Sequence, residues 1–201
     1  MITSVLSDLG QVLLRFDNGR FFDFLARFTP KPREEIRRVV HDNADLVTLF
    51  DKGALSPLDF YHNARDLLGA ELSYEEFYQG YCDVFSPLPE TLALYRRLRP
   101  KVRMALLSNT DVMRWTFVKS RHPEILFFDA YVLSFEWGIV KPDFEFYRAA
   151  LKLLEARPEE AVFIDDLAEN VAGAARAGIA GIHLAPGTDL EAALAALGVK
   201  A

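Results

Sequence analysis

Uninterrupted apolar runs recur at residues 5–6, 104–107, 130–133 and 162–164, with a further one within 179–184. A strand that reads as continuous Val, Ile, Leu and Phe, without polar alternation, is buried on both faces, which is the condition of a parallel sheet. Between these runs lie patterns of helical period at 88–98, 111–122, 143–154 and 168–177. In the third, Phe144, Tyr147, Leu151 and Leu154 repeat at spacings of three and four, giving one apolar stripe to lay against a sheet. Alternating strand and helix predicts a parallel α/β layer.

The alternation is broken once. Residues 16–87 contain no convincing strand and instead offer amphipathic segments at 32–50 and 57–68, the latter entered through the cap and first-turn pair Ser56-Pro57. Ser73 with Glu76 has the spacing of a capping box and opens another helix. The expected organisation is therefore an α/β unit of residues 1–15 and 88–201, split after its first strand by an all-helical insertion, 16–87. Pro87 and Pro89 mark the return, and Pro186-Gly187 makes a turn before a last Ala/Leu-rich helix.

A formal charge of -6 argues against nucleic acid as a partner, because phosphate backbones are bound by surplus Lys and Arg gathered on one face. The cations around Arg33 to Arg38 are interleaved with Glu34 and Glu35. The longest apolar runs fall far short of the roughly 20 residues of a membrane span, and the first residues lack a basic region followed by an apolar core, so no membrane partner is expected and a cytoplasmic location is. Cys82 is the only cysteine, which excludes an internal disulfide; with no histidine in an interpretable relation to it, it reads as a small buried apolar residue. His41, His62, His122 and His183 show no metal-ligand pairing and read as surface or packing residues.

Chemistry concentrates at the ends of the apolar runs. Asp8 ends the first; Leu107-Ser108-Asn109-Thr110, Val140-Lys141-Pro142 and Val162-Phe163-Ile164-Asp165-Asp166 supply a hydroxyl, a lysine and an acidic pair. Singly, each has an ordinary reading as a helix cap or a turn. Together, at the edge where open α/β folds bind ligands, they describe a magnesium phosphatase site. A carboxylate attacking a phosphate must have its charge offset, and Mg²⁺ bridging the two anions does this, with Asp165 and Asp166 as further ligands to Asp8. Backbone N–H groups and the Ser108 hydroxyl at a helix start suit a phosphate, and Lys141 would neutralise it as a point charge.

The stretches Ser7-Asp8-Leu9-Gly10-Gln11-Val12-Leu13, Leu107-Ser108-Asn109-Thr110, Lys141-Pro142 and Phe163-Ile164-Asp165-Asp166-Leu167-Ala168-Glu169-Asn170 resemble, in order, the four motifs of the haloacid dehalogenase-like hydrolase superfamily. The insertion phrase from Leu49-Phe50-Asp51-Lys52-Gly53 to Ser56 also resembles that of its helical-cap members. The resemblance is strongest to the bacterial α-D-glucose-1-phosphate phosphatases, extending from Ser108 to the stretch His122-Pro123-Glu124-Ile125. It implies a Rossmann-like parallel sheet with helices on both faces, an inserted helical cap, Mg²⁺ as cofactor and an aspartyl-phosphate intermediate. Asp8 is then the nucleophile; Asp8, the Gly10 carbonyl and one or both of Asp165 and Asp166 are metal ligands; Ser108, the Asn109 backbone and Lys141 hold the phosphate.

One position departs from the superfamily pattern: Gly10 stands where most phosphatases of this kind carry a second aspartate as proton donor, although the sugar-phosphatase branch shares the glycine. The expected activity is Mg²⁺-dependent hydrolysis of a small phosphorylated metabolite, a sugar phosphate such as a sugar 1-phosphate. Phe16, Asp17, Lys52 and the turn from Asp51 to Leu55 are candidate contacts to the leaving group. Rival expectations are a metal-independent haloacid dehalogenase, which has little use for two more carboxylates beside an anionic nucleophile, and a binding protein that keeps the fold without turnover.

Overall fold

The computed structural model describes residues 1–201. In chain order the elements are β1 (Ser4–Ser7), β2 (Leu14–Phe16), α1 (Asn18–Leu25), α2 (Arg33–Asp42), α3 (Ala44–Asp51), α4 (Pro57–Leu68), α5 (Tyr74–Cys82), β3 (Phe85–Pro87), α6 (Pro89–Leu98), β4 (Arg103–Ser108) and α7 (Val112–Arg121). They continue with β5 (Ala130–Leu133), α8 (Ser134–Trp137), α9 (Phe144–Leu154), β6 (Ala161–Asp165), α10 (Ala168–Arg176), β7 (Ala180–His183) and α11 (Leu190–Ala196).

Five strands form one sheet in the order β5-β4-β1-β6-β7, every neighbouring pair parallel. The chain winds outward from β1 to β5, then crosses back to β6 on the other side of β1, so the order of strands reverses between β1 and β6. That doubly wound arrangement opens a crevice beyond the carboxyl ends of the two strands. The pleat sends successive residues to opposite faces. Val5, Leu106 and Ile164 join the apolar cluster with α6, α7 and α11, whereas Leu6, Leu107 and Phe163 join a second cluster with α9 and α10. Both faces are therefore covered by helices, and the continuous apolar runs follow from that double burial.

The helices of the inserted segment begin where the sequence supplies caps. Ser56 accepts from Asp59 N at the start of α4, and Gly69 ends that helix in the left-handed region at φ 57°. Ser73 and Glu76 form the reciprocal capping box of α5. The first apolar cluster runs without a break from the sheet into these helices, taking in Leu25, Ile36, Phe60 and Phe77.

Three features differ from the sequence expectation. The single helical segment expected over 32–50 is two helices, because the Asn43 side chain donates to Val39 O at 2.8 Å and its backbone leaves helical geometry, ending α2 before α3 begins. Helix α1, capped by Asp17, was not expected. A two-stranded antiparallel ribbon, β2 with β3, pairs Leu14 with Pro87 and Phe16 with Phe85. Strands of three residues are too short to show a period, and their pairing partners lie about 70 residues apart, beyond the reach of local pattern.

Candidate active site

Three of the candidates stand at the carboxyl ends of sheet strands, whereas Lys141, expected to end one, lies in the loop between α8 and α9. Asp8 follows β1, Ser108 ends β4, and Asp165 ends β6. Their shared edge is one wall of a cleft of about 410 Å³ lined by Asp8, Gly10, Ser108, Asn109, Lys141 and Asp166 among others, within the size range of small-molecule sites.

Lys141 is the hub. Its ammonium donates to Asp8 Oδ1 at 2.6 Å, to Asp165 Oδ2 at 2.8 Å and to Leu107 O at 3.1 Å, so all three N–H groups are engaged. Burial would lower its pKa, but the carboxylates of Asp8 and Asp165 overcome this and raise it, keeping the group cationic. Its backbone is held as well: Lys141 N donates to Asn109 Oδ1 at 2.8 Å and Asn109 Nδ2 donates to Lys141 O at 3.1 Å. The Asn109 side chain thus positions Lys141.

For Asp8, burial pushes the carboxyl up to about 6; Lys141 pulls against this and Asp165 adds to it. Beneath it lies a buried chain in which Tyr95 Oη donates to Ser7 Oγ at 2.9 Å and Ser7 Oγ donates to Asp8 O at 2.7 Å, fixing the backbone of the loop.

The two acidic neighbours differ. Asp165 is fully buried and saturated: Oδ1 accepts from Leu167 N at 2.8 Å and Asn170 Nδ2 at 3.1 Å, while Oδ2 accepts from Lys141 and again from Asn170. Asp166 is half-buried and faces the cleft. A carboxylate oxygen from each of Asp8, Asp165 and Asp166 lies within 4.8 Å of the others. Three carboxylates against the one ammonium of Lys141 leave two formal negative charges, and an all-oxygen set of that charge suits a hard divalent cation. Mg²⁺ fits this donor chemistry, and the Gly10 carbonyl is the neutral oxygen the loop can add.

The wall facing the sheet edge comes from the inserted helices and the ribbon: Phe16, Asn18, Val47, Asp51 and Phe85. Phe16 lines the cleft, whereas Asp17 is the α1 cap, accepting from Gly19 N at 2.8 Å, and Lys52 is not part of the lining. The phrase around Lys52 instead contributes Asp51. Gly53 holds this turn in place. It adopts the left-handed region at φ 66° and abuts Phe135 O so closely that a Cβ would collide with it.

Between the two walls sits Arg114, which sequence reasoning missed. It is 9% exposed, lines the cleft, donates from Nη2 to Asn18 Oδ1 at 3.1 Å, and stacks its guanidinium 4.0 Å from the Tyr81 ring centroid and 4.8 Å from that of Phe16. Asp111, the α7 cap, faces it and accepts from Tyr81 Oη at 2.8 Å. The available signal was an arginine three residues after a cap, on the helix that follows Ser108.

A sequence model of the haloacid dehalogenase-like hydrolases matches residues 11–178 of this chain, a stretch that begins beyond Asp8. The chain is 28% identical over 144 residues to a sesquiterpene phosphatase of Aspergillus oryzae, covering 71% of this chain and 74% of that one. It is 27% identical over 178 residues to a D-ribitol-5-phosphate phosphatase of Bacteroides thetaiotaomicron, covering 85% and 86%. Among solved structures, a HAD family enzyme of Bacteroides thetaiotaomicron superposes with a TM-score of 0.86 at 26% identity over 96% of this chain and 98% of that one. The Asp-to-Ala mutant of that enzyme, in complex with magnesium and inorganic phosphate, superposes at 0.82 with 23% identity, covering 96% and 99%.

Proposed function

Because the chain belongs to the haloacid dehalogenase-like hydrolase family, we propose that it is a Mg²⁺-dependent phosphatase of a small phosphorylated metabolite, working through a phosphorylated Asp8. The observation that carries this reading is the cluster of Asp8, Asp165 and Asp166 around Lys141, whose uncompensated negative charge calls for a divalent cation. A metal-free dehalogenase would gain nothing from that surplus charge beside its nucleophile.

Lys141 holds Asp8 Oδ1 at 2.6 Å, which leaves Oδ2 as the oxygen that attacks phosphorus. Asp8, Asp165 and Asp166 would hold Mg²⁺, which would supply the positive charge that offsets the repulsion between carboxylate and phosphate. Ser108 and the Asn109 backbone N–H hold the phosphoryl oxygens, since the N–H groups of Met113 and Arg114 at the start of α7 are taken by the Asp111 cap, and Lys141 offsets the charge on them. The bond from phosphorus to the leaving oxygen breaks as the bond to Asp8 forms; water then cleaves the aspartyl phosphate and restores the carboxylate. Residues 16–87 act as the cap that meets the leaving group and excludes water during transfer.

The finer reading is a sugar phosphate, a sugar 1-phosphate in particular, as in the α-D-glucose-1-phosphate phosphatases that the motifs resemble. Support comes from a cleft lined by more polar than hydrophobic residues and from Gly10, which puts no carboxyl beside the leaving oxygen. An anomeric oxygen leaves more readily than a primary alkoxide, so it needs less help.

The test is a screen of phosphorylated metabolites and a haloacid, with and without EDTA. Phosphate release that EDTA abolishes, with higher kcat/KM for sugar 1-phosphates than for the matching 6-phosphates, is the expected result. Halide release, or phosphate release indifferent to EDTA, overturns the phosphatase reading; equal or better use of 6-phosphates overturns the substrate preference alone.

The two acidic neighbours should respond differently to substitution. Asp166→Ala should raise the Mg²⁺ concentration for half-maximal activity while leaving the melting temperature near wild type, since Asp166 faces the cleft. Asp165→Ala should also lower the melting temperature, because it removes the partner of both Lys141 and Asn170. Magnesium titration and thermal melts of both variants check this. An unaltered Mg²⁺ dependence in both would reduce the pair to a helix cap.

A further inference from the structure

The leaving oxygen still requires a proton. In an in-line displacement the attacking and leaving oxygens lie on opposite sides of phosphorus. With Asp8 attacking from the sheet edge, the leaving group points toward the wall built by α3 and the ribbon. Gly10 brings no acid there. The carboxyl that this wall does present is Asp51, at the end of α3, which lines the cleft with Asp8 and forms no hydrogen bond or ion pair with the protein.

Resting on the phosphatase reading above, we infer that Asp51 is the general acid and base of the reaction, supplied by the cap in place of the aspartate absent at position 10. In the first step Asp8 Oδ2 bonds to phosphorus, the bond from phosphorus to the leaving oxygen breaks with its electron pair going to that oxygen, and the Asp51 carboxyl gives it a proton. In the second, water attacks phosphorus, the Asp51 carboxylate takes the water's proton, and the bond from phosphorus to Asp8 breaks. Inorganic phosphate leaves, and both carboxyl groups return to their starting states.

The surroundings of Asp51 suit a proton donor. Burial, and next the charge of Asp111, push its carboxyl up to about 7, against the opposing pull of Arg114. Such a group carries its proton at and below neutral pH and can still give it up. The groups facing it are Asp111 and Arg114 from α7 and Tyr81 from α5, with Asp8, Asp166 and Lys141 elsewhere around the cleft. Gly53, seated against Phe135 O, fixes the turn that follows Asp51 and so the end of α3 from which the carboxyl projects.

The experiment compares a sugar or polyol phosphate, whose leaving group needs protonation, with p-nitrophenyl phosphate, whose leaving group does not. Asp51→Asn should lower kcat/KM, which reports only the transfer to Asp8, about 10²-fold or more on the former and less than about threefold on the latter, widening the gap between 1- and 6-phosphates, while loss of the base slows the shared hydrolysis of the aspartyl phosphate and lowers kcat on both. In wild type the ratio of the two kcat/KM values should fall as pH rises through about 7, because Asp51 loses its proton there; the ratio cancels titrations common to both substrates. Asp51→Glu should recover part of the loss. Equal losses of kcat/KM on both substrates, an unaltered sugar phosphate kcat/KM in Asp51→Asn, or a flat wild-type ratio would overturn the inference. All of these leave the phosphatase reading intact, whereas absence of EDTA-sensitive activity in wild type would overturn that reading first. The wild-type ratio decides the matter even if the variant does not fold.

Discussion

Asp8→Asn should reduce turnover to less than about a hundredth of wild type while leaving the fold in place. The amide is nearly isosteric with the carboxyl but cannot form the acyl phosphate, and losing a principal catalytic group costs 10²-fold or more. The fold should survive because Lys141 keeps two of its three acceptors, Asp165 Oδ2 and Leu107 O. Beryllium fluoride, which imitates the aspartyl phosphate, should bind wild type with Mg²⁺ and fail to bind the variant. Steady-state rates, a thermal melt and the beryllium fluoride titration together separate a chemical loss from an unfolded protein. Retained activity above that level would remove Asp8 from the role of nucleophile.

Lys141→Ala should damage both activity and stability. Removing the ammonium leaves Asp8 and Asp165, both buried, facing each other with no cation between them. Breaking a buried pair by deleting one partner costs about 3–5 kcal/mol. For a chain of this length that corresponds to a fall in melting temperature of roughly 6–20 °C. Activity should fall about 10²-fold or more, since the charge that offsets the phosphoryl group goes with it. Adding Asp165→Asn to Lys141→Ala should recover part of the melting temperature, because the second change removes the stranded charge. Lys141→Arg should not restore activity, since a planar guanidinium cannot place three donors around one point as an ammonium does. A melting temperature within about 2 °C of wild type in Lys141→Ala would show that the hub contributes little to the fold.

The architecture was legible in the sequence to the extent that burial on two faces leaves a mark on composition. The runs that became β1, β4, β5 and β6 are apolar because each lies between two helical layers, and no local alternative buries them so fully. Caps are equally local, so Ser56, Ser73 and Asp111 announce their helices within three residues. Asp8, Ser108 and Asp165 could be picked out for a related reason: a polar residue ending an apolar run stands at the sheet edge where the crevice forms, whereas Lys141 reaches that edge from a loop after α8.

What the sequence by itself determined, then, was the layered sheet, the position of the inserted helices and the identity of the polar residues at the strand ends. Only the tertiary structure decided which atoms meet. Lys141 bonds an aspartate 133 positions away, the β2–β3 ribbon joins segments that share no local pattern, and Arg114 settles between Tyr81, Phe16 and Asn18 from three separate elements. The placement of Asp51 on the cleft, rather than Lys52 beside it, turns on a rotation of one residue at the end of a helix. A helix advances about 100° per residue, so the choice between neighbours belongs to the packing of Gly53 against Phe135 and not to the order of the letters.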